Sequence, residues 1–143
     1  MERQKTTLAT TQTAKRGWVT VDVEGHVVGR IASHIADLLR GKDSPTFTPN
    51  VDNGNFVVVV NAAKVRFTGK KWADKKYHHH SGYPGGMKSI TAEKQLEKHP
   101  EWILRDAVWG MLPKNRLSRH LIRKLKIYPG TEHPHEAQLT AAS

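Results

Sequence analysis

FVVVVNAAKVRF, residues 56–67, decides the fold. Its five consecutive apolar residues, Phe56–Val60, read as a strand buried on both faces, as in a parallel sheet covered by helices. Asn61 is suited to cap a short turn, and residues 65–68 then read as a second short strand. Upstream, WVTVDV (residues 18–23) alternates like a strand and runs into a Glu24-Gly25 turn. Between the two lies VGRIASHIADLLRGK. Here Ile31, Ile35, Leu38 and Leu39 recur at helical spacing beside Ala32 and Ala36, while Arg30, Ser33, Asp37 and Arg40 fall opposite. Gly41 is placed to stop that helix. Strand, helix, strand is the order of an α/β domain.

Beyond this nucleus the punctuation is clear. PTFTPNVDNGN (residues 45–55) is rich in Pro, Asn and Gly and reads as a loop. Thr91 caps a helix over AEKQLEKH, Pro100 permits another over EWILRDAVWGM, and Pro113 ends it. The second of these is apolar nearly all round, with Trp102, Ile103, Leu104, Ala107, Val108, Trp109 and Met111, so we expect it to be enclosed. NRLSRHLIRKLK reads as a basic amphipathic helix, followed by IYPG and a polar tail containing HPHEAQ.

A chain of 143 residues suits one domain. We expect residues 1–15 to be a flexible N-terminal segment and 16–143 a single α/β domain with a C-terminal tail. The absence of cysteine removes disulfides, thiolate metal sites and cysteine nucleophiles. The start, MERQKTTLATTQTAKRGW, has no apolar core and carries Glu2, unlike a secretory signal. No apolar run approaches the roughly 18 residues that span a bilayer. A soluble cytoplasmic protein without a membrane partner is expected.

Charge says more. The net charge is +10, and residues 64–128 hold 16 Lys/Arg against 5 Asp/Glu, whereas the rest of the chain holds 7 against 8. A field so localised repels itself, and a polyanion is the simplest partner to relieve it. In the last helix Leu117, Leu121, Ile122 and Leu125 make one face and Arg116, Arg119, Arg123 and Lys126 a stripe opposite. With Lys114 and Lys124, residues 110–128 carry six basic side chains and no acid, so the counter-charge comes from outside the chain. Arginine's planar fork binds phosphate oxygens in pairs and stacks on bases. Residues 68–88, TGKKWADKKYHHHSGYPGGMK, have a similar bias: Lys70, Lys71, Lys75, Lys76 and Lys88 against Asp74 alone, with Trp72, Tyr77 and Tyr83 interspersed. Flat rings between cations can carry unstacked bases, and Gly82, Gly85 and Gly86 let backbone amides approach phosphates. The stretch reads as a long basic loop without secondary structure of its own.

Other chemistries fit less well. His78, His79 and His80 are consecutive, so in an extended segment at most two converge, and neither H-E-x-x-H nor H-x-E is present. His133 and His135 could assist, but imidazoles bonding phosphate and ribose suit the surrounding cations better. GHVVGR lacks the spacing of a nucleotide-binding glycine loop, and no G-x-S-x-G nucleophile elbow occurs. We therefore expect no enzyme, cofactor, metal or small-molecule substrate. The alternative is a sequence-specific DNA-binding helix-turn-helix over residues 101–111 and 115–126, with Arg116 and Arg119 entering a major groove. Against it, the turn Leu112-Pro113-Lys114 holds no glycine and the basic stripe runs the helix's full length.

GMLPKNRLSRHLIRKLKIYPGTEHPHEAQ closely resembles the L-thirteen family of large-subunit ribosomal proteins, whose pattern joins Gly-Met-Leu-Pro-Lys to Lys-Leu-Lys-Val-Tyr and a His-Pro-His-x-Ala-Gln tail. VVGRIASHIADLLRGK, VDNGNFVVVVNAAKV, TGKK and YHHHSGYPGG resemble the family's pattern too, in its order, and the lead-in resembles bacterial members. The resemblance implies a three-layer α/β/α domain with a small, mainly parallel sheet and extended basic loops. It also implies binding to large-subunit ribosomal RNA early in assembly, contact with neighbouring ribosomal proteins, and no enzymatic activity. The RNA-facing elements it implies are the YHHHSGYPGG loop with its preceding lysines and the PKNRLSRHLIRKLK segment, which includes Lys114 and Asn115. Ser118 departs from the family's usual glycine, and Asn50, Asn53 and Asn55 also depart from its common residues.

Overall fold

The computed structural model describes residues 8–140. Three strands form a parallel sheet in the order β1 (Trp18–Asp22), β2 (Phe56–Val60), β5 (Leu125–Ile127), with β2 in the middle. The valine run thus occupies the one position flanked by strands on both sides. Val57, Val58 and Val59 are fully buried, each worth about 1.5–3 kcal/mol over an exposed side chain. α1 (Val28–Arg40) connects β1 to β2, and Gly41 ends it at φ 77°, with its N–H on the Asp37 and Leu38 carbonyls.

The pairing Val57 to Leu125 and Val59 to Ile127 puts one row of side chains on the core face. Those residues, with Val19 and Val21, pack with Ile31, Ile35 and Leu39 of α1 and with Ile103, Leu104 and Val108 of α4 (Pro100–Met111). On the other face Trp18 stacks on Phe56 (4.6 Å between ring centroids), and His135 of the C-terminal segment lies 5.2 Å from Trp18. The Tyr128 hydroxyl meets His135 Nε2 at 2.9 Å. The polar HPHEAQ tail therefore folds back and leads into α6 (Glu136–Thr140) beside β1.

Several expectations are corrected. The strand over 65–68 reduces to one parallel bridge between Val27 and Arg66. Asn61 takes a left-handed φ of 61°, its side chain donating to Asp22 Oδ1 (2.9 Å), and the chain leaves the sheet in a 3-10 turn. β1 and β5 flank β2, and residues 65–68 pair with neither of these outer strands, Arg66 bridging to Val27 instead. The long basic helix is split: α5 (Arg116–Leu121) gives way to a 3-10 turn and then to β5. The edge of β2 opposite β1 decides this, since Leu125 and Ile127 pair there and Tyr128 N–H donates to Val59 O at 2.8 Å. α4 is enclosed on one side only: Ile103, Leu104 and Val108 are fully buried, whereas Trp102 is 50% and Met111 44% exposed.

Residues 68–88 are not a plain loop. α2 (Lys71–Asp74) precedes an antiparallel hairpin of β3 (Lys76–His80) and β4 (Met87–Thr91), which continues into α3 (Ala92–Lys98). In the lead-in, Ala9 is buried and donates its N–H to Thr48 Oγ1 (3.1 Å), while residues 1–7 lie outside the described residues. Among the described residues, no helix is long and apolar enough to cross a membrane.

Candidate nucleic-acid interface

The hairpin's register fixes where its side chains go. Tyr77 pairs with Ile90, His78 with Ser89, His79 with Lys88 and His80 with Met87, so His78 and His80 share one face and His79 takes the other beside Lys88. All three histidines are exposed. Among the described residues no three His, Asp or Glu side chains gather in a way that could hold a metal. His80 Nδ1 accepts the Gly82 N–H (2.9 Å), which makes that nitrogen the unprotonated one and leaves Nε2–H as an outward donor. A phosphate or ribose oxygen is the complement of such a donor.

The hairpin tip holds Tyr83, 76% exposed, between Gly82 (φ 87°) and Gly85 (φ 72°). Gly86 is different. Its N–H donates to Tyr83 O (2.9 Å), its carbonyl accepts from Ser81, and a Cβ there would sit 2.0 Å from Ser81 Oγ. Gly86 closes the turn and does not offer its amide to a ligand.

Two aromatic side chains are partly committed to the body. Trp72 meets Phe67 edge-on at 4.7 Å, and both pack against the core. Tyr77 is half-buried, with Lys75 Nζ 5.2 Å from its ring centroid. Burial, assisted by the Asp106 carboxylate, pushes its hydroxyl up to about 12. A phenol held protonated in the fold contributes stability that is complete below pH ~10 and is lost as pH rises to ~12. Melting temperatures of parent and Tyr77→Phe should therefore run parallel up to about pH 10, with the parent falling faster above it. Parallel curves throughout would show that Tyr77 ionises as freely as in the unfolded chain.

The second basic segment starts at Asn115, whose Oδ1 accepts the Ser118 N–H (2.9 Å) and caps α5. Asn115 is thereby a helix cap. Lys114 curls back, its Nζ bonding the Trp109 and Leu112 carbonyls and lying 4.8 Å from the Trp109 ring centroid. Lys124 points inward. It is buried, and its ammonium bonds Asp52 Oδ1 and Gly54 O, the latter at 2.8 Å. Burial pulls its pKa below the usual lysine range, while the Asp52 carboxylate works against that shift. Gly86, Lys114, Asn115 and Lys124 thus each have hydrogen-bond partners within the fold, and Lys114 and Asn115 are exposed as well.

Arg116, Arg119 and Arg123 are exposed, and Lys126 is partly covered in the sheet's row with Val58. Of the 16 Lys/Arg in residues 64–128, only Lys64, with Glu24, and Lys124, with Asp52, form an ion pair among the described residues. Lys70, Lys71, Lys75, Lys76 and Lys88 on the hairpin side, and the three arginines of the second segment, have no acid within 4.0 Å among the described residues. A DNA reading helix is not formed, because α5 spans six residues before the chain turns into the sheet.

Ser118 is fully buried, so its backbone does not face a ligand. Its Oγ has no hydrogen-bond partner. Ser118→Ala removes that orphan hydroxyl and should raise stability by about 1–2 kcal/mol in urea unfolding. A drop in stability instead would mean that the hydroxyl is satisfied.

The family described as Ribosomal protein L13 matches residues 16–134. The large ribosomal subunit protein uL13 of Geobacter sulfurreducens is 59% identical over 136 residues, covering 92% of this chain and 95% of that protein. Its counterpart in Syntrophobacter fumaroxidans is 59% identical over 134 residues, and that of Symbiobacterium thermophilum 55% over 134, each covering 94% of both chains. The match takes in the parallel sheet, the hairpin and the capped arginine segment together, and the chain belongs to the ribosomal protein L13 family.

Proposed function

We propose that this protein is a structural, non-enzymatic constituent of the large ribosomal subunit in the cytoplasm, binding large-subunit ribosomal RNA and touching neighbouring ribosomal proteins. One observation carries the reading: the basic half of the chain presents exposed cations that find almost no acid within the fold. The names of the relatives, large ribosomal subunit proteins, agree with it. Lys70, Lys71, Lys75, Lys76, Lys88, Arg116, Arg119 and Arg123 meet phosphates, with Lys126 at the margin. His78, His79 and His80 bond phosphate or ribose. Tyr83 is the most exposed of the rings in this segment for stacking, Trp72 and Tyr77 are only partly exposed, and Gly85 gives the backbone room at the tip.

Competition binding tests this. A folded large-subunit RNA fragment bound by the protein should be displaced by unlabelled fragment and not by random-sequence duplex DNA at equal nucleotide concentration. Equal displacement by the duplex would refute recognition of structured RNA.

A further inference from the structure

A groove of about 740 Å³ lies between the β3–β4 hairpin and the helices α3 and α4. It is separate from the hairpin tip and from α5. Its size falls within the roughly 300–1,000 Å³ of small-ligand clefts. Tyr77 and Ile90, the cross-strand pair packed toward the body, line it from the hairpin side. Trp102 lines it from α4, half exposed and stacked on His99 at 4.8 Å with 17° between the ring planes.

The polar lining is lopsided. Lys88, Lys94 and Lys98 line the groove, none within ion-pair distance of an acid among the described residues, and Asp106 is the single carboxylate among the lining residues. Glu93 and Glu97 of α3 are not part of it. Gln95 is, and it is the informative residue: only 6% exposed, with an Nε2 amide that has no hydrogen-bond partner. A buried amide donor without an acceptor is a standing cost to the free protein, and a ligand carbonyl would remove it.

Flat half-exposed indole, three uncompensated lysines and one deep N–H donor answer three parts of one ligand. We propose that the groove holds a single unstacked nucleotide of the RNA. Its base lies on Trp102, a carbonyl oxygen of its edge accepts from Gln95 Nε2, and the flanking phosphates meet Lys88, Lys94 and Lys98. An extended peptide could also supply a carbonyl, but it has no regular anionic repeat for the lysines. This assignment rests on the RNA-binding reading above and names a subsite within it.

The test uses the full chain and a large-subunit RNA fragment that it binds. Trp102→Ala should weaken binding about 10-fold, and Trp102→Phe should recover most of the deficit. Lys88→Gln, Lys94→Gln and Lys98→Gln together should make the log K against log salt slope shallower by about 2–3. Gln95→Leu should raise the melting temperature of the free protein while lowering its RNA affinity, a pairing that a merely structural glutamine would not show. Ultraviolet crosslinking should join Trp102 to a base. Trp102→Ala binding as tightly as the parent, or a Trp102 crosslink to a neighbouring protein in assembled subunits, overturns the nucleotide subsite and leaves the wider reading intact. Failure of the parent to bind the fragment overturns both.

Discussion

Replacing Arg116, Arg119 and Arg123 together by Gln is expected to weaken binding to large-subunit RNA about 100-fold at 0.1 M salt, with the gap closing toward 1 M. The magnitude follows from counterion release, where each phosphate neutralised adds about 0.7–0.9 to the slope of log K against log salt. Leaving three phosphates without their arginines takes about 2–2.7 off that slope, which is roughly two decades between 1 M and 0.1 M. The three side chains are exposed and pair with no acid among the described residues, so their removal should leave folding nearly unchanged. Unfolding curves of the variant separate weakened phosphate binding from a damaged fold. Were the variant to keep the parent's slope, this segment would not be a phosphate-binding surface.

Gly54→Ala should be the most damaging small change to the fold. A Cβ at Gly54 would lie 1.8 Å from the Leu39 carbonyl oxygen and 2.4 Å from its carbon, both backbone atoms at the end of α1. Gly41 makes the reciprocal approach, its own Cβ position 2.5 Å from Asn53 O, and Asn55 N–H donates to Leu38 O at 3.0 Å. This backbone-on-backbone contact sets where the chain enters β2. The Gly54 carbonyl also receives the buried Lys124 ammonium, which ties the start of β2 to the residue just before β5. A methyl group cannot be absorbed by turning a side chain there, so the loop must lift. We expect a loss of about 3 kcal/mol or more, near 10 °C in melting temperature. An unchanged melting temperature would mean that the 42–55 loop does not rest on α1.

What is legible in the sequence is what local period decides. The apolar stripe of α1, its stop at Gly41 and the buried valine run of β2 each follow from spacing within a few residues. The features that sequence reading misses are settled by distant neighbours. Leu117, Leu121 and Leu125 continue a helical period, yet Leu125-Lys126-Ile127 also alternates, and only the edge of β2 opposite β1 chooses between them. The hairpin reads as a loop because Tyr77 and Ile90 are its inward-packing pair, while Gly and Pro crowd its turn. Lys124 looks like part of a basic stripe because its partner, Asp52, lies 72 residues away.

The basic interface is legible as charge and only partly as residues. Counting cations against acids picks out two segments whose cations are mostly exposed, since formal charge does not depend on folding. Counting cannot separate Arg119, which pairs with no acid among the described residues, from Lys114, which folds back on the Trp109 and Leu112 carbonyls at the surface, or from Lys124, which is buried on Asp52 and Gly54. Nor can it assemble Gln95, Lys94 and Trp102 into one groove. On α3 and α4 these read as ordinary amphipathic helix residues, and the hairpin that completes the groove is hidden in a stretch that reads as a loop.

That RNA phosphates match the unpaired cations of residues 64–128 is tested most directly by measuring the full chain's affinity for a large-subunit RNA fragment across salt. With about 6–10 phosphates neutralised, affinity should fall about 10³–10⁵-fold between roughly 50 and 200 mM. An affinity that stays within about 10-fold over that range would contradict it, since so few phosphates would then be involved that the exposed cations must serve another purpose.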